Sequence, residues 1–249
     1  MIEVKNLSFS YKEKSIFENI SFDLKDGEIL SILGPNRAGK TTLIKCLSGL
    51  LSPTNGMCML LNKGKGKAKI SYVPQAKKLN FSYNVLEFVS FGCSSMHAYF
   101  AKPSIEDFIK SKKILNDLGI AKLLKKNINE ISGGELQMCY IAKALVSNPD
   151  ILILDEPEAN LDFKNQIKIM DLLIDISRMY NTTVIINTHF LNYAKKISDK
   201  CLIIKKGSYK FGSPSKILKE AVLEEYYEAN IKKCFFYKNG KKEESFIIS

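Results

Sequence analysis

The chain has 249 residues, of which 45% are hydrophobic, and its 37 Lys and Arg against 26 Asp and Glu give a formal net charge of +11. That apolar content supports one large domain, or a domain with a subdomain, and excludes a disordered polyelectrolyte. The charge is scattered and almost all lysine, with Arg37 and Arg178 the only arginines. It is therefore read as compositional, and no nucleic-acid partner is expected.

Six cysteines, at 46, 58, 93, 139, 201 and 234, have neither metal-ligand spacing nor a disulfide framework, which points to a reducing compartment. The start, Met1-Ile2-Glu3-Val4-Lys5, does not read as a signal peptide. No apolar run approaches the roughly 20 residues needed to cross a bilayer.

In chain order, Ile2 to Phe9 and Ile20 to Leu24 alternate apolar and polar residues, as edge-type strands do. After the Asp26-Gly27 turn, Glu28 to Leu33 reads as a buried strand. A glycine-rich loop follows, then an apolar-periodic helix to Leu50. Ser52 to Gly56 breaks the chain. Met57 to Leu61 reads as a strand, Lys63 to Lys69 as a basic surface loop, and Ile70 to Val73 as a strand ending at Pro74-Gln75. From Asn84 to Ser147 the period is helical, with one helix capped by Ser104 and stopped at Gly119. Strand character returns at Ile151 to Leu154. A helix over Phe163 to Arg178, a strand over Thr183 to Asn187 and a helix over Leu191 to Ser198 follow. Two strands come next, Cys201 to Lys205 and Tyr209 to Gly212. Strands alternating with helices around a glycine loop predict a mostly parallel α/β sheet. Beyond it, Ile231 to Tyr237 and Glu244 to Ile248 flank Asn239-Gly240, a favoured pair for a β-hairpin turn.

The loop is Gly34-Pro35-Asn36-Arg37-Ala38-Gly39-Lys40-Thr41-Thr42, and its spacing fits the phosphate-binding pattern. Glycines let backbone N–H groups turn inward, and the following helix adds the positive end of its dipole. Lys40 is expected to reach the β- and γ-phosphates, and the Thr41 hydroxyl to ligate Mg²⁺. The apolar run Ile151 to Leu154 would deliver Asp155 to that metal and Glu156 to the attacking water. Ser132-Gly133-Gly134-Glu135 is a second glycine turn opening a helix, able to form an anion site.

These motifs together resemble the ATP-binding cassette (ABC) ATPases over about residues 1 to 220, with Ser132-Gly133-Gly134-Glu135 as the signature. The resemblance implies a P-loop NTPase core with an antiparallel β subdomain and a helical subdomain inserted at about 82–148. The cassette would span 1–221, followed by a C-terminal extension, 222–249. It implies two cassettes head to tail, with ATP and Mg²⁺ between the phosphate loop of one and the signature of the other. Tyr11 then matches the aromatic that stacks on adenine. Gln75 matches the glutamine that senses metal and water, Asp162 in Leu161-Asp162 the loop that signals across the dimer, and His189 the histidine at the γ-phosphate. The resemblance further implies two transmembrane permease subunits, a place on the cytoplasmic face of the membrane, and indirectly an extracytoplasmic solute-binding protein. Asn84 to Val89, Leu161 to Gln166 and Thr188 to Asn192 look like the importers of iron-siderophore complexes, haem and cobalamin. The alternatives are import of another metal ion, or a soluble ABC ATPase that moves no solute, as in iron–sulfur assembly. Departures from the family pattern are Arg37 in place of glycine, Glu158-Ala159-Asn160 in place of small hydroxyl residues, and Phe190 in place of an acid.

Overall fold

The computed structural model describes residues 1–62, 66–96, 102–238 and 240–248. The alternating N-terminal sequence forms two long strands, β1 (Ile2–Tyr11) and β2 (Lys14–Leu24). They pair antiparallel from Ile2↔Leu24 to Tyr11↔Lys14. β2 starts six residues earlier than periodicity suggested, because shifts in register keep Phe9 opposite Phe17 while both rings pack inward. β4 (Asn55–Asn62) pairs with β1, and the short β5 (Gly66–Lys67) pairs with β4. Part of the expected basic loop is therefore strand, since Lys67 lies opposite Leu61. Lys63 to Lys65 fall outside the described residues.

The buried run β3 (Ile29–Leu33) lies inside a second sheet. Its other strands are β6 (Ile70–Val73), β7 (Ile151–Asp155), β8 (Thr183–Asn187), β9 (Lys200–Lys205) and β10 (Ser208–Gly212). Their order is β10-β9-β3-β8-β7-β6, parallel except for the β10–β9 edge. Four adjacent parallel strands, β3, β8, β7 and β6, thus release at one rim the phosphate loop, Thr188-His189, Glu156 and Pro74-Gln75. Ligand sites of α/β sheets lie at such carboxyl ends.

One face of this sheet and the antiparallel sheet share a core with α1 (Lys40–Leu47). On the other face pack α4 (Gly133–Leu145), α5 (Phe163–Tyr180) and α6 (Leu191–Ile197). α2 (Val85–Ser90) and α3 (Ile105–Asp117) join α4 around a separate core of Phe88, Leu115, Leu123 and Cys139. Each of these three helices opens with a reciprocal capping box, Asn84 with Glu87, Ser104 with Asp107 and Ser132 with Glu135.

The C-terminal part forms α7 (Pro214–Ile217), α8 (Glu220–Tyr227) and a hairpin, β11 (Ile231–Lys238) with β12 (Lys241–Ile248). The two helices escape periodicity because each is shorter than three turns. The hairpin does not hang free. Ile231 and Phe246 are buried with Leu33, Leu191, Leu223 and Tyr226, and the Asn192 side chain accepts from Phe246 N–H at 2.9 Å. All six cysteines are free thiols. Burial pushes Cys46 and Cys93 up to about 11, and Cys58, Cys139 and Cys201 up to about 12.

Candidate active site

The phosphate loop turns from β3 into α1 around a small cleft. It is lined by Asn36, Arg37, Gly39, Lys40, Thr41 and Thr42, with Ile16 of β2 and Glu156 facing them. Only glycine fits at 34, where φ is +140° and a Cβ would meet the Ile204 carbonyl oxygen at 2.1 Å. Its N–H donates to the Tyr227 hydroxyl at 3.1 Å. Arg37 sits at φ +65° with an exposed side chain. Left-handed backbone costs a non-glycine residue about 1–2 kcal/mol.

Lys40 is buried, and its Nζ donates to the carbonyls of Gly34 at 2.7 Å and Pro35 at 2.8 Å. Burial lowers its pKa to about 8, against the opposing pull of Glu156 and Asp155. The Thr41 hydroxyl donates to Asp155 Oδ1 at 3.3 Å. The same carboxylate accepts from Asn187 Nδ2 at 2.7 Å and, on Oδ2, from the Tyr72 hydroxyl at 3.4 Å. Neither Asn187 nor Tyr72 carries a motif signal. Asn187 is visible only as the polar end of a buried strand run, and Tyr72 only as a polar group in a half-buried strand, each beside the strand that ends in the acid.

Glu156 takes a left-handed turn, φ +48°, fixed by its N–H to the Asn187 carbonyl at 3.0 Å. Its Oε1 lies 2.8 Å from His189 Nε2. Two residues on, Glu158 is 1% exposed, and its Oε1 accepts from the Thr188 hydroxyl. Burial pushes Glu158 up to about 7. Thr188 and the N–H groups of Glu158 and His189 pull it back, while the neighbouring Glu156 charge raises it. Glu158 Oε2 makes no well-formed hydrogen bond among the described residues.

Gln75 follows β6, the edge strand next to β7, so it leaves the sheet beside the Asp155 turn. Tyr11 ends β1, half exposed, its ring edge-on to Phe9 at 4.8 Å. Ser132 caps α4, and hydrogen bonds from Ser132 hold the Glu135 carboxyl below its usual range. None of Ser132 to Glu135 lines the cleft. Gly133 and Gly134 lie instead against the start of α5 and the residue pair before it. A Cβ at Gly133 would meet Leu161 Cδ2 at 3.6 Å, and one at Gly134 would meet Asn165 Cγ at 2.5 Å. Asp162 caps α5 by accepting from Asn165 N–H at 2.8 Å. One chain therefore brings together Lys40, Thr41, Asp155, Glu156 and His189, and carries the signature at a different place on its surface.

A glycine phosphate loop joined to an acid pair at neighbouring strand ends defines a P-loop nucleotide-binding protein. Residues 17–159, more than half of the chain, match the family described as "ABC transporter", and the chain belongs to that family. It is an ATP-binding, ATP-hydrolysing cassette. It is 36% identical to the molybdate import ATP-binding protein MolC of Haemophilus influenzae, over 87% of this chain and 84% of that one. It is 37% identical to the probable iron chelatin transport ATP-binding protein of Helicobacter pylori, over 82% and 84%. With the zinc import ATP-binding protein ZnuC of Ehrlichia ruminantium it shares 37% over 88% and 86%. The fold superposes with TM-score 0.92 on a structure described as an inward-facing metal-chelate type ABC transporter, 32% identical over 100% and 97% of the two chains. A dimeric cassette bound to ADP and Pi superposes with TM-score 0.73, 27% identical over 86% and 99%. Among the described residues no helix is long and apolar enough to cross a membrane.

Proposed function

We propose that the protein is the ATPase subunit of an importer, working as a homodimer that closes on two ATP–Mg²⁺ and drives two permease subunits from the cytoplasmic face of the membrane. The observation that carries this reading is the 2.8 Å contact of His189 with Glu156 beside the Thr41–Asp155 pair. In this reading Lys40 and the loop N–H groups from Asn36 to Thr42 hold the phosphates, and Tyr11 stacks on the adenine. The metal fits the donor set. The Thr41 hydroxyl and the Asp155 carboxylate, already in contact, would hold the ion as hard oxygen donors of the kind Mg²⁺ prefers. When bound, such an ion would supply neutralisation of phosphate charge. Glu156 orients the attacking water, His189 contacts the γ-phosphate, and Gln75 reports metal and water to the permease. Ser132 to Glu135 and Asp162 serve the partner cassette's nucleotide. Positioning and charge stabilisation do the catalysis.

For the cargo, the names of the relatives span molybdate, iron chelatin and zinc. We assign an iron complex, a siderophore or haem, or cobalamin, delivered by an extracytoplasmic solute-binding protein, on the strength of the segments at 84–89, 161–166 and 188–192. We take residues 1–221 as the cassette, with the helical unit at about 82–148 inserted, and 222–249 as an extension packed onto it.

The test is Glu156→Gln in protein co-purified with its permease. ATP binding is retained, turnover falls below about 1% of the parent, and an ATP-bound dimer accumulates. Turnover near that of the parent would reject the assignment. Transport by vesicles loaded with iron chelate, zinc or molybdate decides the cargo.

A further inference from the structure

We propose that Glu158 is a positioning residue for hydrolysis: its buried carboxyl, through the Thr188 hydroxyl, ties the turn that carries His189 to the turn that carries Glu156. The proposal rests on the catalytic reading of Glu156 and His189 given above.

A carboxyl at 1% exposure is costly because burial strips it of water, and the Thr188 hydroxyl with the N–H groups of Glu158 and His189 offsets only part of that cost. Oε1 accepts from the Thr188 hydroxyl. That hydroxyl in turn accepts from Phe190 N–H at 3.1 Å, so both its donor and one acceptor site are used. Thr188 N–H donates to the Ile32 carbonyl at 3.2 Å. Thr188 thus fixes the backbone on both sides of His189, while β8 fixes it from behind.

On its own side, the Glu158 carbonyl accepts from Leu161 N–H at 3.4 Å and from Gln166 Nε2 at 3.5 Å. Gln166 Nε2 also donates to the Leu161 carbonyl at 3.0 Å. The acid therefore stands at the centre of the turn from Glu156 to Asp162, two residues from the Glu156 side chain it serves. Glu158 is not among the residues that line the cleft. Loss of its carboxyl should let His189 drift from Glu156 and leave nucleotide binding intact. Small displacements of a catalytic group lower turnover steeply.

The experiment is ATPase kinetics on the permease complex with Glu158→Ala, Glu158→Gln, Thr188→Val, Thr188→Ser and the double variant Glu158→Ala/Thr188→Val. The expected result is a fall in kcat of about tenfold for Glu158→Ala and for Thr188→Val, with KM for ATP changed less than about threefold. Gln at 158 and Ser at 188 keep the hydrogen bond and restore kcat to within about threefold, and the double variant is no worse than either single one. Equal kcat for Glu158→Ala and the parent, failure of both conservative variants to restore it, or additive losses would each overturn the proposal. If Glu158→Ala does not fold, the Thr188 pair decides in the same way. Glu156→Gln and His189→Ala are run alongside. If those two retain turnover, the catalytic reading fails. If they lose it while Glu158→Ala and Thr188→Val do not, only the positioning role fails.

Discussion

Tyr227, on α8, accepts the N–H of Gly34 through its hydroxyl at 3.1 Å, across 193 residues of sequence. The C-terminal segment thereby holds the first residue of the phosphate loop from behind. Burial pushes the Tyr227 hydroxyl up to about 12, so it stays protonated and neutral at working pH. Tyr227→Phe leaves a backbone N–H unpaired, at about 1–3 kcal/mol. We expect a lower melting temperature and ATP binding weakened about three- to tenfold, with kcat at saturating ATP nearly unchanged. Fluorescence titration with a nucleotide analogue, alongside thermal unfolding, measures both. Unchanged affinity would make the contact purely structural.

Lys40 offers a pH signature. Burial depresses its pKa to about 8, so in nucleotide-free protein the cation is complete well below pH 8 and is lost as pH rises through it. Bound phosphate favours the charged form. ATP binding should therefore take up protons at about pH 8 to 9 and take up few through this group near pH 6.5. Calorimetry in two buffers of different ionisation enthalpy reads the uptake directly. No difference between buffers at pH 8.5 would contradict the assigned role.

Arg37 faces solvent from the mouth of the cleft at φ +65°. Arg37→Gly removes the backbone cost and a cation together. We expect ATP affinity to change by less than about threefold, roughly 0.65 kcal/mol. A tenfold loss that fades with rising salt would instead make the guanidinium a phosphate or partner contact.

Asn192, three residues after His189, holds the hairpin by both polar atoms. Oδ1 accepts from Phe246 N–H at 2.9 Å, and Nδ2 donates to the Phe246 carbonyl at 3.4 Å. In native protein the Phe246 amide should exchange slowly. Asn192→Ala should speed its exchange about tenfold or more and leave the amides of β3 unaffected. Exchange as fast as in an unfolded peptide before mutation would show that the hairpin is not bound.

Much of this site could be read from local sequence. The glycine loop, the apolar strand ending in Asp155 and Glu156, and the caps at Ser104 and Ser132 each need only neighbours within a few residues. The C-terminal strand pair was legible through its turn residues, although Asn239 itself lies outside the described residues. What could not be read depends on contacts far apart in the chain. Asn187 meets Asp155 only because β8 runs beside β7, Glu158 meets Thr188 for the same reason, and Tyr227 meets Gly34 through tertiary packing. The departure at 158 was visible as an unusual residue. Its sense appears only once burial is known.

Four of the six free thiols are spread through three of the packed cores. Cys46 lies among the sheet residues around α1, Cys93 and Cys139 lie in the helical unit, and Cys201 lies under the C-terminal segment. Because the thiolate is the reactive form, pKa values near 11 or 12 leave about one in a thousand or fewer reactive at pH 8 even where reagent can enter. Each of these sites is thus silent until its own core opens. The protein carries a built-in set of regional clocks, and alkylation resolved by residue would report which core yields first, with no label engineered into the chain.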